Sequence, residues 1–204
     1  MKILQVLLVL GGLSASTSSL AADNLYGVIS GGFGKSDFQT NDSESGAYKF
    51  ALGYQFHRQW YAEFGYQQLS GQDLLIELPS TQDSLEQAEF GLTADAIVAS
   101  VLGKASGNMG ELFYRLGVMK VDIEGQNLTE SSQCEFGEVR PFTLSSGEDY
   151  TLCEYDEAVL AGVIGVGFDF YLGVHFMLRA EVEHVKGEHD FSNNAAYLGL
   201  RYNF

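Results

Sequence analysis

The ionisable residues of this 204-residue chain fall into two sets with different chemical prospects. The first is threaded through apolar segments: Lys49, Glu63, Asp95, Arg115, Asp169, Arg179, Glu181, Glu183 and Arg201, five acids against four bases. Charges in that setting must reach solvent or pair with one another, because an unpaired buried charge is costly. The second set crowds polar segments. Glu124, Glu130, Glu135, Glu138, Glu148, Asp149, Glu154, Asp156 and Glu157 share one long segment with a single base, Arg140. Asp42, Glu44, Asp73, Glu77, Asp83, Glu86, Glu188 and Asp190 lie in three shorter ones, giving seventeen acids to one base. Carboxylates at that density form a solvated, self-repelling surface or bind a hard cation such as Ca²⁺. No Asp-x-Asp-x-Asp-Gly loop occurs, so no metal site is assigned and no cofactor is implied. The two cysteines, Cys134 and Cys153, lie in the longest acidic segment.

The segments that hold the first set alternate with the period of a β-strand. From 48 to 56, Tyr48, Phe50, Leu52, Tyr54 and Phe56 alternate with Lys49, Ala51, Gly53 and Gln55. The pattern returns at Trp60-Ala62-Phe64-Tyr66, at Phe90-Leu92-Ala94-Ala96-Val98, and at Leu112-Tyr114-Leu116-Val118. It returns again at Ile164-Val166-Phe168-Phe170, Phe176-Leu178-Ala180-Val182 and Ala196-Leu198-Leu200-Tyr202-Phe204. With a glycine-blurred segment over 25–35, these make eight strands, mostly of the length a tilted strand needs to cross a bilayer, about 9–11 residues. Connections alternate long and short: 39–46, 70–87, 124–157 and 187–193 are long, whereas 57–59, 104–110 and 171–174 are turns. Long loops on one rim and short turns on the other are the pattern of an outer-membrane barrel, in which the apolar face meets lipid and the charged face meets the lumen. The expected fold is therefore all-β, an eight-stranded antiparallel transmembrane β-barrel.

The N-terminus supplies the route. Lys2, an apolar run over 3–13 and small residues at Ser19 and Ala21 make residues 1–21 a signal peptide, too short for a transmembrane helix, with the barrel domain over 22–204. In an exported chain Cys134 and Cys153 are expected to form a disulfide, closing a loop of about 20 residues for roughly 3 kcal/mol. Fourteen Phe, eleven Tyr and twenty-four Gly suit a β-rich chain. A net charge of −16 excludes nucleic acid as a partner, which needs a basic footprint.

Two stretches carry a family resemblance. Leu198, Leu200, Tyr202 and Phe204 resemble the terminal signal read by the barrel assembly machinery. Gly165-Val-Gly-Phe-Asp169-Phe, a short turn and Leu178-Arg179-Ala180-Glu181 resemble the sixth and seventh strands of the OmpA-like transmembrane barrels. That likeness spans the chain after residue 21 and implies a cell outer membrane location, with outer-membrane lipids and lipopolysaccharide as surroundings. OmpA itself continues into a peptidoglycan-binding domain that this chain lacks, so the comparison is with barrel-only members, including small adhesins. Two small barrels of this kind modify lipid A. The deacylase pairs a His with a Ser two residues on, but His57, His175, His184 and His189 are followed at that offset by Gln59, Met177, Lys186 and Phe191. The palmitoyl transferase draws a His from its first outer region, and none lies in 39–46. A base must reach its nucleophile, so the sequence points to a non-enzymatic surface protein with a structural or adhesion role and a host or surface ligand for its loops. The alternatives are a narrow porin-like channel for small solutes, then a lipid A-modifying enzyme. An eight-stranded lumen is just wide enough to be filled by side chains, which disfavours the channel.

Overall fold

The structure, a computed structural model, describes residues 24–38, 41–71, 92–129, 134, 137–143 and 149–204. The expected signal segment over 1–21 and nearly all of the 70–87 connection lie outside the described residues. The elements are β1 (Leu25–Phe38), β2 (Asn41–His57), β3 (Trp60–Gly71), β4 (Leu92–Ser106), β5 (Gly110–Thr129), β6 (Glu138–Thr143), β7 (Asp149–Tyr171), β8 (Phe176–Gly187) and β9 (Ser192–Asn203). Each strand pairs antiparallel with its neighbour. β1 pairs with β9, and β5 pairs with β7, so the sheet closes into a barrel of eight strands. A further strand, β6, stands outside the ring and, among the described residues, pairs only with the upper end of β7.

Several strands are longer than a bilayer requires. β5 has 20 residues and β7 has 23; at about 3.3 Å per residue they reach well past a hydrocarbon thickness of about 30 Å, even when tilted. This overturns the reading of 124–157 as one long loop. Opposite residues run in step from Glu124 and Asp156 to Thr129 and Thr151, and β6 adds a third strand. The acidic side chains of that stretch had masked its backbone pairing. For the same reason β2 begins at Asn41, inside the segment read as the 39–46 loop.

The barrel has two storeys of opposite polarity. In the lower storey the wall is apolar outside, with Ile29, Phe50, Leu52, Phe64, Leu116, Ile164 and Leu200 all exposed, and charged inside. Rings crowd the turn-bearing rim, where Trp60 meets Tyr114 and Tyr202 lies between Phe176 and Phe204. In the upper storey the sides exchange. Leu69, Leu92, Ala96, Val98, Met119, Val121, Ile123, Val159, Val185 and Phe191 form one buried apolar cluster inside. Outside, the same strands now carry Lys35, Glu44, Gln68, Asp95, Lys120, His184 and Asn194. β4 and β7 change over later, keeping Ile97 and Leu160 outward on either side of Lys120.

The exchange explains a second correction. Leu92, Ala94, Ala96 and Val98 were read as the apolar outer face of their strand, with Asp95 inward. They are buried inside, and Asp95 lies on the outer wall, where the Tyr66 hydroxyl donates to it at 2.8 Å. The alternation was real. The face it assigned was wrong, because this end of β4 stands where the interior is apolar.

Candidate functional site

Two features of the barrel are built for a purpose: the filled lumen and the sheet that stands above it. The lumen decides what can pass.

Inward positions of seven strands converge on a network of five carboxylates, Glu63, Glu111, Asp169, Glu181 and Glu183, and five cations, Lys49, Lys104, Arg115, Arg179 and Arg201, all buried. Arg179 from β8 sits at its centre. Its Nε and Nη2 donate to the two oxygens of Asp169 at 2.7 and 2.8 Å, and its Nη1 donates to Glu63 at 2.7 Å. Such a two-point clamp on a carboxylate is among the stronger charged contacts. Arg115 from β5 donates to Glu181 at 2.6 Å, to the Ser100 hydroxyl at 2.7 Å and to Glu63. Lys49 bridges Glu181 and Glu183 at 2.7 and 2.6 Å. Lys104 reaches Asp169 and Glu111, as does Arg201. The five positive and five negative groups balance, and neighbours accept or donate the remaining bonds, as when the Tyr26 hydroxyl donates to Glu63 at 2.8 Å.

Aromatic rings complete the filling. Arg201 lies 3.9 Å over the ring of Tyr26, Lys104 lies 4.2 Å over Tyr61, and Arg179 lies 4.6 Å over Phe113. Cations over ring faces gain electrostatically where water is excluded. Glycine makes room for the rings. A Cβ on Gly53 would fall 2.0 Å from Tyr26, and one on Gly167 would fall 2.5 Å from Phe113.

Of the nine charged residues singled out from the sequence, eight meet here and Asp95 does not. Lys104 and Glu111 belong to the network but were not singled out: Lys104 had been assigned to the 104–110 turn, and Glu111 stands directly after it. The signal for Lys104 was its phase: it continues the inward series through Ser100 and Leu102.

Above the apolar cap, β5, β7 and β6 form a three-stranded sheet. A disulfide joins Cys134 to Cys153, the latter on β7 and buried. Arg140 on β6 pairs with Glu154 on β7 at 3.1 Å, and Gln126 on β5 donates to the same carboxylate at 3.2 Å. The disulfide therefore pins the segment before β6 to a strand that runs unbroken into the barrel wall. Replacing both cysteines by serine is expected to leave the barrel folded, seen as its heat-modifiable mobility on a gel. It should also speed protease cleavage between residues 130 and 148 by about ten-fold or more, since a bridge of this span stabilises by roughly 3 kcal/mol.

The hydrogen-bond partners of His57, His175 and His184 are not nucleophiles. His57 accepts from the Gln59 backbone N–H at 3.4 Å, His175 Nδ1 lies 2.9 Å from the Asn203 carbonyl, and His184 Nδ1 lies 2.8 Å from the Asn194 amide oxygen. Among the described residues no group of three or more His, Cys, Asp or Glu side chains is arranged to hold a metal ion.

A closed eight-stranded ring, a lipid-compatible wall and a charged interior are matched by the sequence family. The model for "Outer membrane protein beta-barrel domain" matches residues 6–204. The chain belongs to that family. It is an outer-membrane protein, and its lower apolar wall faces lipid. Among solved structures it is similar to Neisserial surface protein A, NspA, with 12% identity, 88% of this chain and 97% of that one covered, and a TM-score of 0.55. It is similar to the N-terminal barrel of Pseudomonas aeruginosa OprF, with 11% identity, 89% and 98% covered, and a TM-score of 0.53. It is also similar to Ail, the attachment invasion locus protein of Yersinia pestis, solved with the heparin analogue sucrose octasulfate: 15% identity, 89% and 99% covered, TM-score 0.50. At such identities the likeness is one of fold. No curated protein matches the sequence closely enough to count as a relative. Within this outer-membrane family, Leu198, Leu200, Tyr202 and Phe204 all present their side chains to the outside of the barrel.

Proposed function

We propose that this outer-membrane protein is a sealed, non-enzymatic scaffold that presents an acidic, disulfide-pinned segment for surface recognition or adhesion. The observation that carries the reading is the filling of the barrel. A neutral charge network closes the lower storey and an apolar cluster closes the upper one, leaving the sheet of β5, β7 and β6 as the part shaped to meet a partner. Loops on a rigid scaffold are where recognition is usually placed. Residues 1–21 serve as the export signal, and the outward strip ending in Phe204 is what the assembly machinery reads.

The charge of the segment selects the partner. Ail was solved with a sulfated, polyanionic ligand. Here the predicted outer loops carry seventeen acids and one base, and such a surface repels polyanions and attracts cationic patches. The partner class is accordingly a basic protein surface.

Two measurements test the reading. In planar bilayers the refolded protein should give no stable open channel; large, long-lived conductance steps would overturn the sealed lumen. Cells displaying the intact protein should retain a lysine-rich test surface in a salt-sensitive manner. Cells displaying a variant with 130–148 replaced by a short Gly-Ser linker should lose most of that retention. Equal retention by both, or preference for a sulfated surface, would remove the recognition role.

A further inference from the structure

The short connections of the periplasmic rim differ in chemistry. Between β2 and β3 the chain reads His57-Arg58-Gln59, all polar. Between β4 and β5 it reads Gly107-Asn108-Met109, and between β7 and β8 it reads Leu172-Gly173-Val174-His175. Met109 is 76% exposed and Leu172 is 61% exposed. The two sit together. β5 pairs with β7 down to Gly110 opposite Phe170, and beyond that pair the Tyr171 N–H donates to the Met109 carbonyl at 3.1 Å. Large apolar side chains bared side by side at a turn mark a surface that something covers.

Leu172 continues the lipid-facing wall. On β7 Ile164, Val166 and Phe170 are exposed at even positions, and Leu172 is the next of that series. On β2 Leu52, Tyr54 and Phe56 form the same kind of series, and the residue two beyond Phe56 is Arg58. That step past Phe170 or Phe56 is about 5 Å along the membrane normal for a tilted strand. There one part of the rim carries a cation and another an aliphatic side chain. Lys104 and Glu111, which flank the β4–β5 connection, are buried and pair with each other in the lumen. His175 Nδ1 is held 2.9 Å from the Asn203 carbonyl. The turn backbone is partly satisfied as well. The Gly107 N–H donates to the Gly110 carbonyl at 2.8 Å and the Leu172 N–H to the Phe176 carbonyl at 3.0 Å, which lowers the cost of leaving water. Val174 instead borders the lumen mouth with His175 and Met177.

We propose that the β4–β5 and β7–β8 turns lie as a pair within the periplasmic leaflet of the outer membrane, with Met109 and Leu172 covered by phospholipid. The occupant follows from continuity. The two tips prolong a wall that lipid already covers, and Arg58 marks where that cover stops, since its long side chain keeps the guanidinium among the phosphates. The rim is thereby unequal, immersed under β5 and β7 and at the membrane surface under β2 and β3. β5 and β7 are also the strands that carry the outer sheet. Immersion of their lower ends sets the lean of the barrel, and with it the direction in which that sheet points.

The test leaves both apolar side chains in place and reads the residue beside Leu172. Gly173→Cys, where an added Cβ meets nothing within 4 Å, and Gln59→Cys on the polar turn are spin-labelled in the full chain with its disulfide intact. Each is refolded into phospholipid vesicles that hold no other protein, and collisions with oxygen and with a water-soluble nickel chelate give the depth of the label. The label at 173 should lie about 5–10 Å inside the level of the phosphates, the depth of an interfacial apolar face. The label at 59 should lie at that level or outside it. Met109→Ser with Leu172→Ser should move the label at 173 out to the depth of the one at 59. Asn108→Cys gives a second reading from the neighbouring turn if Gly173→Cys does not fold. A label at 173 as open to the nickel chelate as the one at 59 would overturn the proposal and leave the tips to a periplasmic protein. A depth at 173 unchanged by the two serines would overturn it as well.

Discussion

Arg115→Met is expected to destabilise the folded barrel by about 3–5 kcal/mol, the range for removing one partner of a buried ion pair. The methionine nearly fills the space, so the loss is electrostatic rather than a cavity. Arg115 is 1% exposed and donates to Glu181, Glu63 and Ser100. Without it the network holds four cations against five carboxylates, all of them buried, so the surplus charge lies away from bulk solvent. Glu181 keeps Lys49, and Glu63 keeps Arg179, so the barrel should still form. Its urea midpoint in vesicles, followed through its single tryptophan, Trp60, should fall sharply. Adding Glu181→Gln restores the balance and should recover part of the loss. A change under about 1 kcal/mol for Arg115→Met would mean that water occupies the lumen and that the filled-plug account is wrong.

Phe191→Ala should cost about as much, roughly 3–5 kcal/mol for a fully buried aromatic, but in a different place. Phe191 is wholly buried in the apolar cluster of the upper storey, and its carbonyl accepts from the Gly187 N–H at 2.8 Å. That cluster lies above the wall that lipid supports, so its loss loosens the strand ends rather than the ring. Amide exchange should rise at 92–96, 121–125 and 158–161 and stay slow in the lower halves of the same strands. The charge network below is untouched, so planar-bilayer conductance should remain nil. Uniform loosening of whole strands, or the appearance of channels, would show that the two storeys are not separate units.

The difference between the storeys also accounts for what the sequence did and did not disclose. Where lipid lies outside, one face of a strand is apolar and the other charged, and residues 48–56 and 112–119 could be assigned to wall and lumen from the pattern. Where water lies outside, the apolar face turns inward while the period stays at two. Alternation reports that a strand has two faces, not which solvent each meets. β4 crosses from one regime to the other: Val101 and Ile97 are outward and apolar, yet Leu92 and Ala94 are inward and apolar. Asp95 was misplaced for that reason, and Lys104 was lost by ending the strand early. The extension of β5 and β7 was illegible for another reason. Its carboxylates resemble a solvated loop, whereas its backbone pairs residue by residue, with Glu124 directly opposite Asp156. Like charges facing across a ladder are unfavourable, and the long-range pairing that outweighs them leaves no local trace.

The exchange of polarity between Phe33 and Lys35, Val118 and Lys120, and Val182 and His184 amounts to a waterline drawn around the molecule. Sinking the barrel by two residues would drag lysines into hydrocarbon, and raising it by two would lift aromatic and aliphatic side chains into water. Vertical drift is opposed in both directions, so the acidic sheet is held at a fixed height above the cell surface. The protein carries its own depth gauge, and the reach of its outermost segment is set by the wall rather than by whatever it meets.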